Sequence, residues 1–411
     1  MKKVLVIGYV WPEPTSSAAG ARMMQLLQFF LSENLSVTFA TTAADSPFRE
    51  DLEKSGINLK KIVLNDSGFD DFLQEYQPEI VVYDRFMMEE QFSWRVEKYT
   101  PVALTILDTE DLHFLRKFRQ EKIKNLSTSS IQESELAKRE IASMYRCDLS
   151  LIISEAEMSL LEKEFQFPQE LLFYFPLLRE KISEKDILAL PNFSERKNFI
   201  FIGNFLHAPN LDAVYQLKEI IWPLIRKKLP EAELHIYGAY LPQKIQQLHQ
   251  LKDGFLIKGR AENAVKTVQS YRISLAPLRF GAGLKGKLLE SMEVGTPSVT
   301  TNIGAEGING NLPWNGEILD NPARFAEASC ELYNSEEKWT EARDKGFLII
   351  NKRFQKENFE KNFKEQLEEI KNNLEAHRRQ NFTGAMLRHH RVKSTYYLSR
   401  YIEVKNKLLK K

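Results

Sequence analysis

The chain has 411 residues, 43% of them hydrophobic and 27% charged, with a net charge of +1. That balance describes an ordinary soluble protein long enough for two cores, and it offers no overall attraction for nucleic acid. Two cysteines, Cys147 and Cys330, stand without CxxC spacing, which points to a reducing compartment and against a structural metal.

Val4 to Gly8 is an apolar run of the kind that forms a parallel strand buried on both faces. It is too short for a signal peptide's apolar region and has no cleavage site, and no apolar stretch is long enough to span a bilayer, so a cytoplasmic protein is expected. A loop from Tyr9 to Ala19 follows, then a helix opened by Gly20, then a strand from Val37 to Thr41. A dinucleotide fold would place GxGxxG and a strand-ending acid here; Pro12, Pro14 and Thr41 stand instead, so no nicotinamide or flavin cofactor is expected.

Further strands are expected at Lys61–Leu64, Ile80–Tyr83, Ala103–Leu107, Leu149–Ile153 and Leu171–Phe175, with helices between them. Two of these strand ends carry polar clusters, Asp84 with Arg85 and Asp108 to His113 (DTEDLH). Ligands of doubly wound sheets bind at such ends. Helix N-capping is the alternative for both aspartates and the role expected of Asp108. His113 is read either as a site residue or as a partly buried histidine bonded to a carbonyl.

Leu190 to Asn198 is polar and reads as a linker, after which Phe199–Gly203, Leu234–Tyr237, Phe255–Ile257 and Ile273–Ala276 repeat the strand-and-loop theme. The expected units are an N-terminal Rossmann-like domain at 1–190, a second at 195–352, a returning helix at 353–376 and a basic tail at 377–411. The returning helix, Lys356–Leu374, spaces Phe359, Phe363, Leu367 and Ile370 for one apolar face that needs a partner. The tail carries ten Lys or Arg against Glu403 alone, and Tyr397, Tyr401, Val404 and Leu408 fall on one side of a helix. It reads as a segment for an anionic membrane surface or as a flexible, loosely docked tail; nucleic-acid contact through it would be salt-driven and non-specific.

The stretch PLRFGAGLKGKLLESMEVGTPSVTT, Pro277 to Thr301, holds the strongest chemical signal. A buried strand leads into a loop with Gly281, Gly283 and Gly286, then a helix with Leu288, Leu289 and Met292, then Gly295 and Pro297 as a stop. Free amides, a helix N-terminus and the ammonium groups of Lys285 and Lys287 converge on a place suited to a phosphate or diphosphate. Glu290, one turn on, is suited to accept hydrogen bonds from a ribose or sugar hydroxyl pair. Taken alone, the same glycines would serve a tight turn with solvated lysines.

With these parts in order, about residues 1 to 375 resemble the GT-B glycosyltransferases, and within them family 4. GNFLHAPN, LHIYG, IKGR, PLRFGAGLKGKLLESMEVGTPSV and GAEGI are similar to its C-terminal domain; AAGAR, YDRFMMEEQFSW, LDTEDLHFLRKFR and LIISEAE to its acceptor-side domain. The resemblance implies two Rossmann-like α/β domains facing across a cleft, with a C-terminal helix crossing back. It implies a retaining, metal-independent hexosyl- or other glycosyltransferase with a nucleotide-sugar donor and a carbohydrate or lipid-linked acceptor, serving cell-surface polysaccharide or glycoconjugate synthesis.

By the same resemblance His113 meets the donor sugar and Glu290 the ribose. Gly238 and Arg260 hold the base. Gly281, Ala282, Gly283, Leu284, Lys285 and Lys287 cradle the diphosphate with Gly203, Asn204 and the facing turn at Ala19 and Gly20. Trp11, Asp84 and Arg85 lie on the acceptor side. Two departures stand out: Ala282 replaces the family's first glutamate, and Asn204 and His207 replace an Arg and a Lys. Diphosphate charge then falls to Lys285, Lys287, Arg279 or Arg260. Ala282 also leaves open a non-catalytic relative that serves as a nucleotide-binding scaffold, and the fold admits a sugar-nucleotide epimerase.

Overall fold

The computed structural model describes residues 2–126 and 130–409, and the backbone alone at 390–395. Seven parallel strands form the first sheet: β1 Lys3–Gly8, β2 Ser36–Thr41, β3 Asn58–Lys61, β4 Ile80–Asp84, β5 Leu104–Asp108, β6 Leu149–Ile152 and β7 Leu172–Tyr174. Their order is β3-β2-β1-β4-β5-β6-β7. Six more parallel strands form the second: β8 Lys197–Ile202, β9 Leu234–Tyr237, β10 Phe255–Gly259, β11 Tyr271–Ala276, β12 Ser298–Thr300 and β13 Gly316–Ile318, in the order β10-β9-β8-β11-β12-β13. Both sheets reverse direction of growth beside their first strand, between β1 and β4 and between β8 and β11. At such a reversal the neighbouring crossovers lie on opposite faces and leave a crevice at the strand ends.

The central strands are the apolar runs expected of sheets covered on both faces; Val4 to Ile7 and Phe199 to Phe201 are fully buried. β3 lies three residues earlier than its apolar run suggested, because it is an edge strand with mostly exposed side chains, and Ile62 and Val63 follow it as loop. β13 gave no sequence signal: its three residues pair with β12 at the sheet edge.

The helix Lys356–Asn372 completes the core of the first domain. The Phe363 ring lies 4.9 Å from those of Phe29 and Phe175 and 5.3 Å from that of Phe173. Leu367 and Ile370 are buried in the same cluster.

The basic tail is firmly docked, not loose. Helices Leu374–Gln380 and Phe382–Leu409 lie on the first domain. Arg378 donates to both carboxylate oxygens of Asp148 at 2.8 Å. Arg95 binds Asp70 on its own domain and Glu403 on the tail, all three groups buried. Trp94 meets Tyr396 edge-on at 5.3 Å. Tyr397, Tyr401, Val404 and Leu408 share the outer side, 58% to 68% exposed. Lys410 and Lys411, and the side chains of Arg391 and Lys393, lie outside the described residues. Among the described residues no helix is long and apolar enough to cross a membrane.

Candidate active site between the two domains

The loops that leave β1, β4, β5, β8 and β11 face one another over a cavity of about 490 Å³. Both topological reversals therefore open on the same space.

On the second domain the wall is the glycine loop. Gly281 and Gly283 adopt φ of 156° and 61°, backbone that glycine takes without strain. The helix Gly286–Glu293 begins directly after, and helix Ala18–Ser32 of the first domain begins opposite it. The two starts are in contact: a Cβ on Gly286 would stand 2.6 Å from that of Ala18. Among the described residues no acceptor meets the N–H groups of Ala18, Ala19, Gly281, Ala282, Gly286 or Lys287. Gly20 differs from expectation, since its N–H caps onto Ser17 Oγ at 3.0 Å and is not free. Two helix N-termini, each carrying about half a positive charge, thus point at one spot.

The expected cations divide. Lys287 lines the cleft, donates to Asn210 Oδ1 at 2.6 Å and stands over the Phe201 ring; burial pushes its ammonium down to about 7. Lys285 turns back into its own loop, donating to the carbonyls of Gly283 at 2.7 Å and Ala282 at 3.3 Å, and burial lowers it to about 8. Its contact with the cleft is that of a brace. Arg279 is a correction: it is forked onto Asp212, 44% exposed, and is not among the residues lining the cavity. The chain turns outward at that position, between buried Leu278 and Phe280. Arg260 reaches across the opening, donating to Thr15 Oγ1 at 2.7 Å and stacking on Phe48. Gly238 crosses so close to Gly203 that a Cβ would lie 1.9 Å from the Gly203 carbonyl oxygen. Glu290 lines the cavity, its carboxyl has no hydrogen-bond partner among the described residues, and burial raises it. Asn204 donates to the Ser16 carbonyl at 3.3 Å.

On the first domain, His113 opens the helix His113–Ile123, its Nε2 3.5 Å from Asp111 Oδ1 and its ring edge-on to Phe86. Burial lowers it to about 4, so the imidazole is neutral at pH 7. Asp108 is not a helix cap: its Oδ1 accepts from Arg22 Nη2 at 2.8 Å and Nε at 2.9 Å, fully buried. The sequence hid this pair because its members are 86 residues apart. Asp84 accepts the Tyr9 N–H at 2.9 Å, Arg85 stands over the Tyr9 ring, and Trp11 lines the same side.

Four residues at the cleft or the domain gap beside it were not singled out from the sequence as site residues. Glu157 Oε1 accepts the Leu112 N–H at 2.9 Å and, across the domain gap, the Gly283 N–H at 2.8 Å. Arg119, two turns past His113, donates to the Gly281 carbonyl at 2.8 Å and is forked onto Glu306 at 2.7 Å. His207, noted only as a departure, lines the cleft, is lowered to about 4 by burial and interacts electrostatically with His113. Glu110 lines the cleft in the corner below Asp84 and Asp108.

Two parallel-sheet α/β domains meeting at their strand ends over one cleft are the GT-B fold. Residues 196–335 match the family of glycosyl transferases group 1. No curated protein matches the chain. The S. aureus TarM variant solved with fondaparinux, α-GlcNAc-glycerol and UDP is 12% identical, over 89% of this chain and 99% of that one, with a TM-score of 0.67. Sucrose-phosphate synthase from Thermosynechococcus elongatus is 13% identical, over 90% and 99%, with a TM-score of 0.68. Anabaena HepE solved with UDP-glucose is 12% identical, over 90% and 100%, with a TM-score of 0.65.

Proposed function

We propose that this chain is a glycosyltransferase that moves a sugar from a nucleotide-sugar donor to a carbohydrate or lipid-linked acceptor, with retention at the anomeric carbon and without a metal. The observation that carries the reading is the pair of helix N-termini, at Ala18 and Gly286, with unpaired amides between them in the cleft. Such a place favours the charge that collects on a departing diphosphate, and a preorganised site stabilises that charge without reorganising. The bond from the anomeric carbon to the diphosphate breaks with its electron pair on the phosphate oxygen. The acceptor oxygen bonds to the same face of that carbon, and its proton passes to the leaving oxygen. The neighbours solved with UDP and with UDP-glucose support a nucleotide sugar as the donor.

In this reading Glu290 takes the ribose, backbone at Gly238 and the turn to Arg260 hold the base, and neutral His113 faces the donor sugar. Trp11, Asp84 and Arg85 belong to the acceptor side. Synthesis of a cell-surface polysaccharide or glycoconjugate, with a cytoplasmic location, is the setting proposed. The test is a panel of nucleotide sugars assayed for hydrolysis and transfer with and without EDTA. Turnover of one donor, unchanged by EDTA, is expected; nucleotide binding without turnover of any donor favours the alternative, a scaffold. Ala282 is the observation on that side, an apolar group in the donor loop packed with the core of the first domain.

The tail adds a peripheral contact to this proposal. Its only acid, Glu403, is buried on Arg95, so the outward side presents Tyr397, Tyr401 and Val404 beside exposed Lys405 and Lys407. An anionic membrane surface suits that face. Flotation with phosphatidylglycerol vesicles is expected to recover the full chain and to lose a chain ending at residue 376; equal flotation of both refutes the contact.

A further inference from the structure

Where β4 and β5 end, three carboxyl groups share one corner, and two of them have partners. Asp108 accepts from Arg22, and Asp84 accepts the Tyr9 N–H and faces Arg85 at 3.4 Å. The third, Glu110, is 8% exposed, lines the cleft and meets no hydrogen-bond donor among the described residues. Its backbone holds φ at 62°, a left-handed conformation that few non-glycine residues adopt. A buried, unpartnered acid on a strained backbone lowers stability, and strain of this kind collects at binding sites.

We propose that Glu110 is a sugar-binding residue, whose carboxyl group takes a hydroxyl of a neutral sugar seated between this corner and the glycine loop. The proposal rests on the nucleotide-sugar reading above. The surroundings select the ligand. Arg22 and Arg85 are already engaged by Asp108 and Asp84, which disfavours a phosphate here, so a diphosphate is directed to the helix N-termini and the neutral part of the substrate to this corner. Burial, and next to it Asp108, raise the Glu110 carboxyl well above the usual range, so it holds its proton more tightly than an exposed acid does. A hydroxyl can bond to either protonation state, as acceptor to the acid or donor to the carboxylate; a cation requires the ionised form. The hydroxyl can belong to the donor's sugar or to the acceptor's, and the experiment separates the two.

Wild type, Glu110→Gln and Glu110→Ala are titrated calorimetrically with UDP, GDP and ADP and with UDP-glucose, UDP-N-acetylglucosamine, GDP-mannose and ADP-glucose. Transfer to alkyl glycosides is measured alongside. In Glu110→Ala, a bound nucleoside diphosphate is expected to keep its Kd within about twofold while its sugar conjugate weakens by about tenfold, the scale of one lost hydrogen bond, with partial recovery in Glu110→Gln. That pattern assigns the hydroxyl to the donor. Conjugate affinity and hydrolysis unchanged, with transfer to alkyl glycosides reduced about tenfold, assigns it to the acceptor. Neither change in Glu110→Ala overturns the proposal. So does a Tm several degrees lower in Glu110→Gln, because a carboxyl that meets no hydrogen-bond donor has no such bond in the fold to lose. A wild type that binds no nucleotide fails earlier, at the nucleotide-sugar reading, and removes this proposal with it.

Discussion

Glu157 gives the sharpest test of how the two domains are joined. Its side chain is fully buried, one oxygen accepting the Leu112 and Gly283 amides and the other without a partner. Burial, reinforced by Asp111, raises the carboxyl from 4.5 to about 7. The folded state therefore holds a proton that the unfolded chain has released across that interval. The contribution of Glu157 to stability is therefore greatest below pH 4.5, falls as pH rises, and carries the whole penalty above pH 7. A shift of this size corresponds to about 3 kcal/mol at pH 8, a sizeable share of a typical folding free energy.

Glu157→Gln keeps an acceptor for both amides and removes the charge. It is expected to be more stable than wild type by about 3 kcal/mol at pH 8 and equal at pH 4.5. Glu157→Ala leaves two buried N–H groups unpaired, at about 1–3 kcal/mol each, and offsets the gain. Urea unfolding at both pH values measures this. A stabilisation by Gln that is the same at pH 4.5 and pH 8 would refute the reasoning.

Phe363→Ala should destabilise by about 3–5 kcal/mol, since the ring fills a site between Phe29, Phe173 and Phe175; a loss under 1 kcal/mol in urea would show that the returning helix does not complete the core. Lys287→Ala should weaken nucleoside diphosphate binding by about 1–3 kcal/mol, and Lys285→Ala by less, through a loosened loop; unchanged Kd in both by calorimetry removes the lysines from the site. His113 is lowered from 6.5 to about 4, so it favours the unfolded state as pH falls through that interval. The stability of His113→Asn should therefore depend less steeply on pH between 6.5 and 4 than that of wild type, and parallel urea curves would contradict this.

What could be read from residues alone was whatever is encoded locally. Apolar runs such as Val4–Gly8 and Phe199–Gly203 announced the sheets, and Gly281, Gly283 and Gly286 announced the loop, because backbone conformation is written in the residue that adopts it. The face of Phe363 could be foreseen from its spacing, and its partner, the first domain, only from the resemblance; the rings it would meet could not. The failures are pairings over long separations. Arg22 with Asp108 depends on how a helix packs on the first sheet, and Glu157 with Gly283 and Arg119 with Glu306 on where two domains meet; each charged residue taken singly looks like a surface charge or a cap. Arg279 failed for the opposite reason. Its position inside the motif suggested the cleft, while one turn of an extended chain sent it outward to Asp212.

The return of the chain to its beginning sets an order on synthesis. On a ribosome, Phe29, Phe173 and Phe175 emerge long before Phe363, and at about 5–20 residues per second the wait is roughly ten to forty seconds. Throughout that time the nascent first domain presents an open aromatic groove with no occupant of its own. Exposed apolar surface of this kind favours aggregation until it is covered, and a chain cut short within the second domain lacks the helix that closes its earlier half.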